Sequence, residues 1–331
     1  MQFRILGPIE IDDERRGEPI FPTGSKQRSL LGALVVKAGQ VLAPHRLIDE
    51  LWGEQPPANA ANALQAHIAR LRRLLPNAGD PGQPRIVTHS LGYLLEPDPA
   101  GTDADRFLRL SAQGRALVPS DPHRAVELLR QALALWRGPA LEGCAGGDIC
   151  LVEAAQLEES RLTALETTFD ASLRAGLHDA ITGELEELTV EYPFRERFYD
   201  LLMVAFYRCG RQAEALGVYE RARARLSYEL GVNPGPALVN RVREVLSHAP
   251  ELDSPPPAPI VGTPPVLATR AVGGHDRHAR HRGGVDLGDE LVELHHRLDR
   301  LGREQEILSR RLEQLTALAA AGSPAVLRPA V

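Results

Sequence analysis

The sequence is short of cysteine, lysine and aromatic side chains, and it has no long apolar run. Three cysteines in 331 residues, Cys144, Cys150 and Cys209, cannot build a disulfide framework, and their spacing matches no zinc pattern. They read as reduced, buried thiols of a cytosolic protein. No run of about 18 apolar residues is present, so a transmembrane helix is not expected. The opening MQFRILGPIEI reaches Glu10 without an apolar core segment or a cleavage site. A secretory signal is therefore not expected, and a cytoplasmic location is. HExxH, GxSxG and a complete Walker A are all missing, since Gly24-Ser25-Lys26 has no glycine five residues upstream. Neither an enzyme nor a bound cofactor or metal is expected. The two lysines beside 36 arginines reflect base composition more than function.

What is present is enough apolar material for two or three domains: 43% of residues are hydrophobic and 25% charged. The net charge of −6 excludes a uniformly basic nucleic-acid coat, and its distribution divides the chain. Residues 1–97 hold 11 Lys and Arg against 10 Asp and Glu, 98–250 hold 17 against 23, and 251–331 hold 10 against 11. The expected units are 1–97, 98–250, a linker over 251–286 and a helix over 287–320. The fold class is mainly α, with an α+β N-terminal domain.

Residues 2–11 alternate, with Phe3, Ile5, Ile9 and Ile11 apolar, and Ile20-Phe21 follows a charged turn; this predicts a short antiparallel sheet. From Ser25 the period is helical, Leu30, Leu31, Leu34 and Val35 form one stripe, and Gly39 supplies the C-cap. A second helix opens at Pro44 and runs to Trp52. After Pro56-Pro57 a third runs from about Ala58 to Leu75. Turn material at 76–84 leads to a hairpin over 85–96 around Ser90–Gly92. Trp52 and Trp136 read as core.

Residues 103–248 are helical and carry a 34-residue repeat. Gly176 matches Gly210, Leu165 matches Tyr199, Ile181 matches Ala215, Leu185 matches Tyr219 and Leu188 matches Ala222. Such tetratricopeptide-like pairs must stack to bury their faces. An earlier pair, near 105–117 and 123–137, fits less closely. The acidic pairs Asp103/Asp105 and Glu158/Glu159 read as solvated.

Six prolines between Pro255 and Pro265, then HDRHARHRGG, read as a tether. His275, His278 and His281 could bind a metal, but a soluble linker accounts for them. Beyond it, Leu287, Leu291, Leu294, Leu298, Leu301, Leu308, Leu312 and Leu315 alternate by four and three, interrupted by Gln305 and Ala319. This predicts a left-handed coiled coil that joins two copies, with a lone helix lying on its own protein as the alternative. Gly302 and the poorly matched Ser309 and Thr316 limit its stability.

The sheet, three helices and hairpin of 1–97 follow the order of a winged helix-turn-helix. On the third helix Leu64, Ile68, Leu71 and Leu75 share one face. The opposite face holds Asn59, Asn62, Ala66, Ala69, Arg70 and Arg73, flanked by Gln65 and Arg72 on one side and His67 on the other. Between 59 and 75 there are three arginines and no acid, whereas a merely solvated face mixes signs. Arg forks onto guanine, Asn and Gln onto adenine, and Ala admits a thymine methyl. Asn62, Gln65, Ala66, Ala69 and Arg70 are the candidates for base edges. Lys26, Arg28, Arg46, Arg72, Arg73, Thr88 and His89 are the candidates for phosphate.

The run GSKQRSLLGALVVKAGQVLAPHRLIDELWGEQPPANAANALQAHIARLRRLL resembles the Streptomyces antibiotic regulatory protein (SARP) family throughout. So do ALALWRGPAL (132–141), YPFRERFYDLLM (192–203) and YRCGRQAEALGVYERARARLSYELGVNPGPAL (207–238). Thr88, Gly92 and Tyr93 look like the usual wing residues of that class. The likeness covers about 2–248. It implies an OmpR-type winged helix joined to a bacterial transcriptional activation domain. It also implies double-stranded promoter DNA as partner, bound at direct repeats near the −35 element. The further partner it implies is RNA polymerase with its sigma subunit, recruited to biosynthetic genes. The ATPase module and receiver domain of larger relatives are missing from this sequence, and the resemblance says nothing of the leucine repeat. The competing reading is a helical-repeat adaptor whose winged helix docks protein rather than DNA.

Overall fold

In the computed structural model the described residues are 2–12, 18–75, 86–96, 101–144 and 146–252. The turn at 76–84, the three histidines, the linker beyond Leu252 and the leucine repeat with Gln305 lie outside them. Strands β1 (Gln2–Arg4) and β2 (Glu10–Asp12) pair antiparallel with Phe3 opposite Ile11, and Ile20 bridges to Ile11. Phe3, Ile5, Ile9 and Ile11 are all buried, as their alternation predicts.

Helix α1 (Ser25–Val36) departs from a one-sided stripe. Leu30 through Val35 are buried without a gap, because α1 packs on α2 (Pro44–Trp52) and α3 (Ala60–Leu74) and also on the long α6 (Asp148–Arg174) of the second half. Its C-cap is Lys37, not Gly39. Gly39 (φ 81°) turns the chain two residues later and gives its N–H to the Leu95 carbonyl at 2.9 Å. Helix α2 opens on Pro44, where a missing N–H leaves no helical bond unmade. Helix α3 begins at Ala60, with Asn59 as an N-cap that makes no side-chain bond. The wing is β3 (Ile86–His89) paired antiparallel with β4 (Gly92–Leu95), and Tyr93 bridges back to Leu42 just ahead of α2.

The second half adds α4 (Asp103–Leu117), α5 (Pro122–Leu133), α7 (Thr182–Glu191), α8 (Glu196–Arg208), α9 (Gln212–Leu230) and α10 (Pro236–Ser247). The repeat is visible in the helices. Gly176 (φ 77°) closes α6 and Gly210 (φ 74°) closes α8, and a shift of 34 residues carries α7 onto α9. Ile181, Leu185, Leu188, Tyr199, Ala215 and Ala222 are buried in the shared core of these helices. Helix α5 stops at Leu133, short of the expected 137. The chain then turns back along the N-terminal strands: Arg137 N bonds Leu6 O at 2.8 Å, Leu141 N bonds Ile5 O at 2.8 Å and Glu142 N bonds Gly7 O at 3.1 Å. One apolar core consequently runs from Phe3 through α1–α3 to Leu141, Ile149 and Leu157, and both halves contribute to it.

That shared core corrects the solvated reading for Asp103 and in part for Glu158, whereas Asp105 and Glu159 are exposed as expected. Asp103 is only 4% exposed, because its carboxylate accepts the Ile5 and Leu6 backbone N–H groups at 2.7 and 3.2 Å. Asp105 caps α4 in a reciprocal box with Thr102. Glu158 accepts the Ala140 N–H at 2.9 Å, and Glu159 binds Arg195 through both oxygens at 2.7 Å. Trp136 packs edge-on to Phe107 with centroids 5.4 Å apart, and Trp52 lies partly buried against the same core. Among the described residues no helix is long and apolar enough to cross a membrane.

Candidate nucleic-acid interface

Helix α3 buries Leu64, Ile68 and Leu71, which leaves the other side of its 100° spiral to solvent. Asn62, Gln65, Ala66, Ala69, Arg70, Arg72 and Arg73 are all exposed there. Neither the Arg70 guanidinium nor the Asn62 and Gln65 amides have a hydrogen-bond or ion-pair partner among the described residues, so all three are free to meet a ligand. The same holds for Arg46 on α2 and His89 on the wing, both exposed. The wing tip presents Ser90 and Leu91, the latter 75% exposed.

The remaining phosphate candidates already have partners inside the protein. Arg72 donates from Nε to the Ile86 carbonyl at 3.0 Å and from Nη2 to Thr88 Oγ1 at 2.6 Å. It thereby braces the wing against α3. The Lys26 ammonium lies on the Leu51 carbonyl at the end of α2. Arg28 Nε bonds the Gly143 carbonyl at 2.9 Å, on the side of α1 that meets the second half. Among the described residues Arg73 makes only a long 3.3 Å bond back to Ala69 O, and its charge remains at the exposed end of α3. His67, on the flank, is half-buried with its ring 6.0 Å from that of Trp52. Burial first, then the Arg70 and Lys26 charges, hold its imidazole below the usual histidine range. It is therefore neutral at neutral pH, and the charge of this helix is carried by its arginines.

Sequence reasoning missed the residues that hold the reading head to the rest of the chain. Glu50 on α2 is 3% exposed, and its carboxylate caps α6 by accepting the Ile149 and Cys150 N–H groups at 2.8 and 3.1 Å. Arg137 reaches Glu10 at 3.0 Å and Asp103 at 3.3 Å. No local pattern marks these residues, since their partners lie 34 or more positions away.

Residues 17–95 match the family model for the C-terminal domain of transcriptional regulatory proteins, and residues 102–246 match the bacterial transcriptional activator domain. The transcriptional regulator RedD of Streptomyces coelicolor is 48% identical over 258 residues, covering 77% of this chain and 73% of RedD. The chain belongs to the SARP family of transcriptional activators. Regulatory protein DnrI of Streptomyces peucetius is a further relative, 37% identical over 76% of this chain and 94% of its own. Among solved structures, Mycobacterium tuberculosis EmbR in complex with a low affinity phosphopeptide matches with a TM-score of 0.69 at 30% identity. That match covers 75% of this chain and 65% of EmbR. The SARP arrangement thus accounts for both halves of the described structure, the winged helix and the helical repeats behind it.

Proposed function

We propose that this SARP-family chain binds promoter DNA sequence-specifically in the cytoplasm and recruits RNA polymerase, through its sigma subunit, to secondary-metabolite genes. The observation that carries the reading is the exposed face of α3. It is free of acids, bears three arginines, and presents Asn62, Gln65 and Arg70 unpaired among the described residues, beside a braced wing. Asn62, Gln65, Ala66, Ala69 and Arg70 face the major groove, and Arg46, Arg73 and His89 the flanking phosphates. Thr88 and Arg72 set the wing's position. Lys26 and Arg28 stand further from this face in role, held by carbonyls of the protein itself.

In a gel shift with promoter fragments, Arg70→Ala is expected to lose about 1–3 kcal/mol and to relax one base position, whereas Arg73→Ala weakens all sequences alike and flattens the salt slope. Unchanged affinity and selectivity for Arg70→Ala would remove α3 as the reading element. No sequence-selective shift at all would favour a protein-docking adaptor.

Two copies are proposed to bind head to tail on a direct repeat, tethered by the leucine repeat of 287–319 through the 251–286 segment. Equivalent faces then need half-sites about 10–10.5 base pairs apart or a multiple. Inserting about half a turn between them is expected to abolish cooperative binding; a titration that stays cooperative contradicts tandem docking. The second half, with its excess of acids, is assigned to the transcription machinery rather than to a second phosphate surface.

A further inference from the structure

Two of the three thiols meet where the winged helix joins the second half. Cys150 sits in the first turn of α6, fully inside the core. Its backbone N–H is held by Glu50, and its thiol points at the Ser29 carbonyl of α1 at 3.7 Å. Cys144, half-buried, lies in the loop just before that helix, with its N–H on the Leu141 carbonyl at 3.1 Å. Both sulfurs crowd one point of α1: a Cβ at Gly32 would lie 2.9 Å from Cys150 Sγ and 3.2 Å from Cys144 Sγ. Glycine at position 32 therefore leaves the space the two thiols share.

We propose that Cys144 and Cys150 are a redox modification site, a dithiol that a hydroperoxide closes to an intramolecular disulfide. The geometry separates the two roles. The neighbouring Cys150 thiol holds the Cys144 thiol below the usual cysteine range, with the Arg28 guanidinium assisting against burial and the Glu50 charge. The same closeness, together with burial, pushes the Cys150 thiol up. Cys144 is thus the thiolate that attacks, and it is also the more accessible of the pair. Its sulfur takes one peroxide oxygen as the O–O bond breaks, which gives a sulfenic acid and releases the other oxygen as water. The Cys150 sulfur then displaces the sulfenic oxygen, its proton leaving with that oxygen as a second water, and the S–S bond forms. Two thiols lose two electrons and two protons, and one hydrogen peroxide becomes two waters. Gly146 (φ 70°), with open space around its Cα, lies between the cysteines. Cys209 has no thiol neighbour among the described residues, and burial raises its pKa. It serves as an internal control.

The test uses the full-length chain, hydrogen peroxide as the probe, alkylation of remaining thiols and peptide mapping by mass spectrometry. The expected product has lost two hydrogens, carries a Cys144–Cys150 link, returns to the dithiol with dithiothreitol and keeps Cys209 alkylated. Cys144→Ser and Cys150→Ser each abolish the link, and Cys209→Ser leaves it. If either serine variant does not fold, the wild-type map still decides. A link through Cys209, oxidation of Cys144 to the sulfinic acid without pairing, or three alkylated thiols after peroxide treatment each overturns the proposal.

Discussion

Asp103→Ala is expected to lower the unfolding free energy by about 3–5 kcal/mol, the range for removing one partner of a buried charged network. The carboxylate does three things at once. It accepts the Ile5 and Leu6 N–H groups, which have left the β1 ladder, and it faces Arg137 Nη2 at 3.3 Å. Burial is the largest influence on the group and raises its pKa above the usual aspartate value, while the two backbone donors and Arg137 pull it down. Alanine leaves both donors in the core without an acceptor and leaves Arg137, among the described residues, Glu10 as its charge partner. Asp103→Asn is expected to fall between: its one carbonyl can serve Ile5, but its amide turns donors toward Leu6 N and Arg137. Urea denaturation checks this, with a lower midpoint at unchanged slope. An Asp103→Ala midpoint equal to wild type would show that these bonds contribute nothing.

The elements were largely legible because they follow from local pattern. Pro44 and Gly53 bracket α2, the alternation of 2–11 gives β1 and β2, and glycines 34 residues apart mark the ends of α6 and α8. The apolar side of α3 was readable too, since Leu64, Ile68 and Leu71 stand at helical spacing. What sequence could not show depends on distant partners. A buried Asp103 and a solvated aspartate look the same in a string, and only the return of 137–142 along the N-terminal strands distinguishes them. That return was hidden as well, because Leu135 and Trp136 continue the apolar period after α5 has ended. Likewise, Arg72, Lys26 and Arg28 read as phosphate ligands by charge alone. Their partners are mainly backbone carbonyls, which every residue carries and no pattern marks.

Gly92→Ala is expected to undo the wing while leaving the helical second half folded. Gly92 has φ 152°, in the region that favours glycine, and it passes directly beside the segment ahead of α2. An alanine Cβ there would overlap the Leu42 carbonyl oxygen and lie 2.7 Å from its carbon and 3.0 Å from Ala43 Cα. All three are backbone atoms, so no side-chain rotation relieves the clash. The wing must instead move off, which breaks the Leu42 N to Tyr93 O bond of 2.8 Å and the Tyr93 N to Leu42 O bond of 2.9 Å. Two such bonds contribute about 1 kcal/mol each, and a residue forced into this backbone region adds about 1–3 kcal/mol of strain. Tyr93 and Leu95, both buried, lose packing as well. The consequence for DNA follows through Arg72: once Thr88 and the Ile86 carbonyl leave its guanidinium, the brace between the wing and α3 is lost. If the wing's placement accounts for about 3 kcal/mol of operator binding, affinity falls about 100-fold. Far-UV circular dichroism should stay close to wild type, because the strands lost are short. Leu91→Ala, one residue away at the exposed tip, makes the control, since it changes the wing's surface without moving its backbone. A Gly92→Ala protein that binds its operator as tightly as the Leu91→Ala protein would mean that the wing does not set the position of the reading helix on DNA.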